Sequence, residues 1–169
     1  MGDGILSFYR IKQFYWSITS KISEKDLEYV KNNLKEKEYQ LFLKLSKQEQ
    51  YHSMRVAKDV EKECVQQKID SKELIMVALL HAIGKIYKRL NVFSKSIMVI
   101  SNKITQGKIR KIKCSKNIEV YFNHGNIGYE LLKNSDISKR ALYLIKNHHN
   151  DNITDDMELN ILRKCDSNN

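Results

Sequence analysis

The chain contains no proline and only six glycines among its 169 residues. Proline breaks helix interiors, and proline and glycine supply most of the turns that β-rich folds need. The sequence therefore predicts an all-α fold. Its length suits one domain with a hydrophobic core and is short for two. We expect a single-domain bundle of about seven to nine helices.

Apolar residues recur at three- and four-residue steps along most of the chain, as on the buried face of an amphipathic helix. Hydroxyl side chains precede several of these segments and predict helix N-caps; they are Ser23, Ser46, Ser71, Ser138 and Thr154. The apolar run from Leu74 to Leu80 indicates a helix at the centre of the core.

The rest of the chain follows the same interpretation. Residues 7–19 and 93–104 are predicted to form amphipathic helices, and residues 108–120 a loop with a short helix, before a helix that starts at Asn126. We interpret residues 1–46 as a helical lead-in packed on the same core as a domain at residues 47–169.

A formal net charge of +10 at pH 7 favours an anionic partner. Lysine is scattered over nearly every segment, and the tightest basic cluster comprises Lys103, Lys108, Arg110, Lys111, Lys113 and Lys116. Solvated side chains explain this excess more simply than a dedicated surface does. Nucleic-acid binding is therefore the least favoured of three functional hypotheses.

The three cysteines, Cys64, Cys114 and Cys165, are odd in number and share no short metal-type spacing. They predict neither a disulfide framework nor a thiolate zinc site, and they suit a reducing cytoplasm. The amino terminus lacks the order of a signal peptide, and no apolar run approaches the roughly 20 residues of a membrane helix. We expect a soluble cytoplasmic protein with no membrane partner.

The chain has five histidines, each in a distinctive local sequence. They are His52 in His-Ser-Met-Arg-Val-Ala, His81 in Leu-Leu-His-Ala-Ile-Gly-Lys, His124 in His-Gly-Asn-Ile-Gly-Tyr-Glu-Leu-Leu, and His148 and His149 in Ile-Lys-Asn-His-His. A late carboxylate, Asp166, follows Leu159 and Leu162 at helical spacing. Helix bundles build metal sites from such inward-facing side chains, although a single histidine is more often structural.

The order of these motifs resembles the HD superfamily in its HDIG-type branch, from His52 to Asp166. The resemblance implies a helical domain that hydrolyses phosphoesters, often of nucleotides, with divalent metal ions. It implies that His52, His81 and Asp166 bind a first ion, and that His124, His148 and His149 bind a second. Lys85 and Arg55 are then the candidates in the catalytic site for holding the substrate phosphate.

The sequence departs from the family pattern at Ala82, where the aspartate that gives the family its name is expected. That aspartate normally bridges the two ions, so each ion loses a ligand. The remaining two histidines and one carboxylate suit a single divalent ion. The sequence does not distinguish between Mn, Fe, Mg, Ni and Zn. The second group depends on water or substrate phosphate to complete its ligand shell.

Three accounts of Ala82 remain open: decayed catalysis with retained binding, an enzyme that works with one metal, and an engineered substitution. The leading hypothesis is an HD-type phosphohydrolase acting on a nucleotide or related phosphoester, with impaired or altered metal binding. The alternative is a non-catalytic module that binds a phosphorylated small molecule in the same pocket.

Overall fold

A computed structural model describes residues 22–87 and 116–169 of the chain. These two stretches contain seven α-helices and one 3-10 helix, and no strand. The helices are α1 (Glu24–Asn33), α2 (Glu36–Leu43), α3 (Lys47–Gln67), α4 (Lys72–Leu80), a 3-10 helix (Ile83–Tyr87), α5 (Lys116–Leu132), α6 (Lys139–Asn147) and α7 (Met157–Ser167). The all-α prediction is confirmed. None of these helices is both long and apolar enough to cross a bilayer.

The core is built around α4, as its apolar sequence predicts. Five of its side chains, Leu74, Val77, Ala78, Leu79 and Leu80, have no exposed surface. Helix α3 packs along one side of α4 and α6 along another, while α1, α2 and α7 contact it as well. A helix that is apolar on nearly every side is stable in water only when neighbours cover it in this way.

Helices α1 and α2, with the short segments that follow them, contribute Val30, Leu34, Phe42 and Leu45 to the same hydrophobic cluster as α3 to α7. The part of the predicted lead-in that lies at residues 22–46 thus packs on the common core. The predicted helices at residues 7–19 and 93–104, and most of the basic cluster, lie outside the described residues.

Three of the predicted N-caps are confirmed by hydrogen bonds. Ser23 and Asp26 form a reciprocal capping box, the Ser46 hydroxyl accepts from the Glu49 N–H, and the Ser138 hydroxyl accepts from the Ala141 N–H. Each bond satisfies a backbone donor that has no partner within its own helix.

The other two cap predictions fail in different ways, Ser71 only in its side-chain bond and Thr154 in its position. Ser71 occupies the N-cap position of α4, but its side chain makes no capping bond; the Asp70 carboxylate accepts from the Lys72 N–H at 3.1 Å instead. Thr154 lies too early, because α7 begins at Met157 and is capped by Asp156, which accepts from the Leu159 N–H. A carboxylate outcompeted the hydroxyl at both helix ends, which accords with the positive end of the helix dipole.

Helix α5 is longer than predicted, and this is the main error in the helix assignment. It begins at Lys116, so residues 116–120 are not a loop, and Asn126 lies well inside it. Gly125 does not end the helix. A side chain there would lie 2.7 Å from the Lys146 carbonyl oxygen, so glycine permits the close approach of α6.

Gly84 serves the same purpose where the 3-10 helix crosses α5. A Cβ atom at Gly84 would collide with the carbonyl group of His124 and would lie 2.9 Å from the Gly128 nitrogen. The two backbones are therefore in direct contact, close to His81 and His124. Glycine is required here by packing and not by a left-handed backbone.

We predict that Gly84→Ala lowers the free energy of unfolding by about 3 kcal/mol or more, because neither backbone can move away without disturbing the core. Chemical denaturation measures this loss. Lys72→Ala, at an exposed position of α4, is the control and should change stability by no more than about 0.5 kcal/mol. A Gly84→Ala variant as stable as the control would contradict the backbone contact.

Candidate metal centre

His52, His81 and Asp166 come together from three different helices. His52 projects from the first half of α3, His81 follows the last residue of α4, and Asp166 lies near the end of α7. One ligand atom from each lies within 4.8 Å of the others. His52 Nε2 is 2.9 Å from Asp166 Oδ1, and His81 Nε2 is 3.4 Å from the same oxygen. We call these three residues the carboxylate group.

The orientation of His81 suits a metal ligand. Its Nδ1–H donates to the Ala78 carbonyl oxygen at 2.7 Å, which leaves the lone pair of Nε2 facing Asp166. His81 is 1% exposed, and its Nε2 has no hydrogen-bond partner. A buried acceptor that faces a carboxylate oxygen is unfavourable unless a proton or a metal ion lies between them. This donor set therefore fits a divalent ion.

His124, His148 and His149 form a second group, which we call the imidazole group. Their ligand atoms also lie within 4.8 Å of one another. His124 Nε2 is 3.2 Å from His148 Nε2 and 3.1 Å from His149 Nε2. His124 and His148 are buried, whereas His149 lies at the solvent-exposed edge of the group. Nitrogen donors only are present, which suits a transition-metal ion.

The two groups are neighbours in one cluster. The ring centroids of His81 and His148 are 5.2 Å apart, almost the same as the 5.3 Å between His52 and His81 within the carboxylate group. All five histidines of the chain, which the ordered motifs singled out, thus lie in one cluster. Their sequence positions span nearly a hundred residues, so only the tertiary fold unites them.

Electrostatics treats Asp166 and the imidazole group differently. Burial raises the pKa of Asp166, but the nearby His81 and the hydrogen bond from His52 outweigh it, and its pKa lies well below the usual value. Burial lowers the pKa of both His124 and His148 well below that of an ordinary histidine. Burial also lowers the pKa of His149 to about 4. The three rings of the imidazole group are therefore unprotonated at neutral pH, as metal ligands must be.

Ala82 is fully buried beside His81. Its methyl group offers no ligand atom, so in the described part of the chain each group holds only the donors named above. Position 82 begins the turn into the 3-10 helix, where the Ala82 carbonyl oxygen accepts from the Lys85 N–H at 2.9 Å.

The two predicted phosphate-binding residues have different surroundings. Lys85 is paired with Glu49 at 3.1 Å between Nζ and Oε2, and its charge contributes to the lowered pKa of His124. Lys85 thus lies beside the imidazole group. Arg55 lies over the Tyr51 ring, 5.9 Å from its centroid, on the helix that carries His52.

Two residues at the site were not singled out from the sequence. Glu49 was read only as part of the cap of α3, although it lies one turn before His52 and holds Lys85. Arg163 lies one turn before Asp166, and it donates to the carbonyl oxygen of His148 at 3.2 Å. Helical spacing from a predicted ligand is the only signal that either position carried.

We predict that the metal-free protein loses stability as the pH falls from about 6.5. Unfolded histidines take up protons near pH 6.5, whereas native His149 stays neutral down to about pH 4. The unfolded state therefore binds more protons in this interval. Denaturation midpoints measured with a chelator present should decrease with pH, and the decrease should be smaller for His149→Gln. A midpoint that does not change between about pH 7 and about pH 5 would contradict the buried neutral imidazoles.

Comparison of the sequence with models of known protein families identifies one family. The family model described as HD domain matches residues 50–167, more than two thirds of the chain. Comparisons with curated proteins and with solved structures gave no significant match. The matched segment includes every residue of the carboxylate and imidazole groups, together with Ala82, and it confirms the resemblance inferred from the ordered motifs. The chain therefore belongs to the HD domain family.

Proposed function

We propose that this protein is an HD-type phosphohydrolase acting on a nucleotide or a related phosphoester, with metal binding altered by Ala82. The HD domain family is in general one of metal-dependent phosphohydrolases, and the membership of this chain supports the proposal. The observation that carries the proposal is the convergence of two groups of potential ligand atoms in one cluster of side chains.

The residues that would hold the first ion are His52, His81 and Asp166, and those that would hold the second are His124, His148 and His149. A bound divalent ion lowers the pKa of coordinated water and offsets negative charge on phosphoryl oxygens. The chain supports this with an ionised Asp166 carboxylate that His52 already faces, and with the neutral rings of the imidazole group already oriented toward one another. Little reorganisation is then needed on binding.

The entrance for a phosphoester is best placed at His149, the exposed member of the imidazole group. Lys85 is near enough to His149 to contribute to its lowered pKa, so its ammonium group can attract a phosphate there as a point charge. Glu49 holds Lys85 in position. Arg55 is the second candidate for this role, with a planar group suited to bidentate contacts.

Ala82 limits the negative charge in the cavity. Two divalent ions would meet one carboxylate, that of Asp166, and uncompensated charge is costly in a buried site. A phosphoester supplies the missing charge when it binds. The carboxylate group alone, with two histidines and one carboxylate, is the arrangement expected to hold a single ion with open positions for water.

The alternative is a non-catalytic module that binds a phosphorylated small molecule. It is favoured by the same buried methyl group at position 82, which removes the family's bridging ligand. Lys85 and Arg55 would then supply the positive charge. If this alternative is correct, a nucleotide should raise the melting temperature of the wild-type protein but should not be hydrolysed with any divalent metal.

A reducing cytoplasm remains the proposed location. Cys64 and Cys165 are free and buried. Burial raises the pKa of both thiols, that of Cys165 to about 11. Thiols of this kind are unreactive and need no oxidising environment.

We predict that Ala82→Asp tightens divalent metal binding by on the order of tenfold or more, and that it starts or increases phosphoester hydrolysis. Without metal, the same variant should melt at a lower temperature than the wild type, because it buries an uncompensated carboxylate. Added metal should then raise its melting temperature more than that of the wild type. Calorimetric titration, thermal denaturation and a nucleotide panel measure the three effects.

Ala82→Asn is the matched control, since it has nearly the same shape as aspartate without the charge. It should gain neither affinity nor activity. A folded Ala82→Asp protein that binds no metal and hydrolyses nothing would overturn the proposed function.

A further inference from the structure

We propose that the imidazole group is a metal site with its own selectivity, preferring Zn²⁺, Co²⁺ or Ni²⁺ to Mg²⁺ or Mn²⁺. This inference rests on the proposed function, because it concerns the same cavity. It goes further by assigning different classes of ion to the two groups, which share no ligand residue.

Proton counting supports a cation among the three rings. The Nδ1–H of His148 donates to the Ile145 carbonyl oxygen at 2.7 Å, so in the neutral ring Nε2 is an acceptor. His124 Nε2 faces this acceptor and His149 Nε2 at once. One proton at His124 Nε2 can point at only one of them, so one nitrogen–nitrogen contact stays without a proper hydrogen bond. A metal ion would satisfy all three lone pairs.

The donor chemistry decides which ion is preferred. His124, His148 and His149 offer three neutral nitrogen donors and no oxygen. Asp151 and Asp166 act electrostatically on His149, but neither belongs to this set of converging ligand atoms. Mg²⁺ and Mn²⁺ favour oxygen ligands, whereas imidazole suits zinc, nickel and their neighbours in the transition series. The loss of aspartate at position 82 thereby changes the type of the second site as well as its strength.

The carboxylate group has the opposite tendency. His52, His81 and Asp166 combine two nitrogens with one oxygen donor, a set associated with open-sided iron sites and also acceptable to manganese. The protein would therefore distinguish its two ions by ligand type. A family site with a shared aspartate lacks this separation, because the bridging oxygen belongs to both ions.

The test isolates the imidazole group in His52→Ala, which removes a ligand of the other group only. This variant should still bind one Co²⁺, with the intense visible absorption of low-coordinate cobalt, and Zn²⁺ should displace it while excess Mg²⁺ should not. Adding His149→Ala, at the exposed edge, should abolish the absorption. His149→Ala alone should leave one bound ion at the carboxylate group.

The outcomes separate this inference from the proposed function. Loss of all cobalt binding in His52→Ala, with binding retained in the wild type, would overturn the independent site and leave the function intact. Displacement of Co²⁺ by Mg²⁺ as readily as by Zn²⁺ would overturn the selectivity. A wild type that binds no ion and shows no hydrolysis would remove both claims together.

A separate observation identifies the residue that positions this site. Arg163 of α7 spreads its guanidinium over the segment that carries His148 and His149. It donates to main-chain carbonyl oxygens of four residues, namely Asn147, His148, Asn150 and Ile153. The segment has no regular backbone pairing of its own beyond two turn bonds. We therefore infer that Arg163 fixes the positions of the His148 and His149 rings relative to His124.

We predict that Arg163→Lys weakens Co²⁺ binding to the imidazole group by about tenfold, because a single ammonium group cannot replace a planar fork with five donors. Arg140→Lys is the matched control. Arg140 also joins α6 to α7, through Asp156 and Glu158 at the opposite end of α7 from Asp166, so it should not change the cobalt spectrum.

The readout for Arg163 is the cobalt absorption of the imidazole group in the His52→Ala background, compared with metal binding to the carboxylate group in the His149→Ala background. A positioning role changes the first and leaves the second. Equal losses at both groups, or an unchanged spectrum in a folded protein, would show that Arg163 is only a structural link.

Discussion

The interior of this protein must accommodate polar rings in the middle of an apolar core, and the helix ends around it are arranged to meet that demand. His81 and His148 both follow the last residue of a helix, and both donate Nδ1–H to the carbonyl oxygen three residues earlier. Such carbonyls lack partners within the helix. One bond thus satisfies the helix end, fixes the tautomer and turns Nε2 toward the cavity. The same solution appears twice, once for each ligand group.

Charge is the second constraint on the cavity. Asp166 is the single carboxylate among the converging ligand atoms, and His52 and His81 both face its Oδ1 atom. The imidazole group has nothing comparable, because position 82 carries a methyl group. The two halves of the site are therefore chemically unequal, although they are neighbours in space. This inequality links the proposed function to the different ions proposed for each half.

The ordered histidine motifs singled out the residues that the structure brings together in the two groups, because each motif carries its own helix signature. The absence of proline likewise predicted the fold class. The errors arose where local sequence is ambiguous: Gly125 resembles a helix boundary, yet it allows α6 to approach. Glu49 and Arg163 were missed because their partners, Lys85 and His148, lie 36 and 15 residues away. Contacts at such separations leave no periodic trace in a single sequence.

The contact between Gly84 and α5 has a consequence for how the site can change. Main-chain atoms of the 3-10 helix and of α5 touch there, with His81 just before one segment and His124 within the other. This main-chain contact thus sets the distance between the segments that carry His81 and His124. The side chains of His81 and His124 take no part in that contact. Ala82 lies in the chain between His81 and this contact, so an acid placed there would meet a frame whose dimensions the main chain sets.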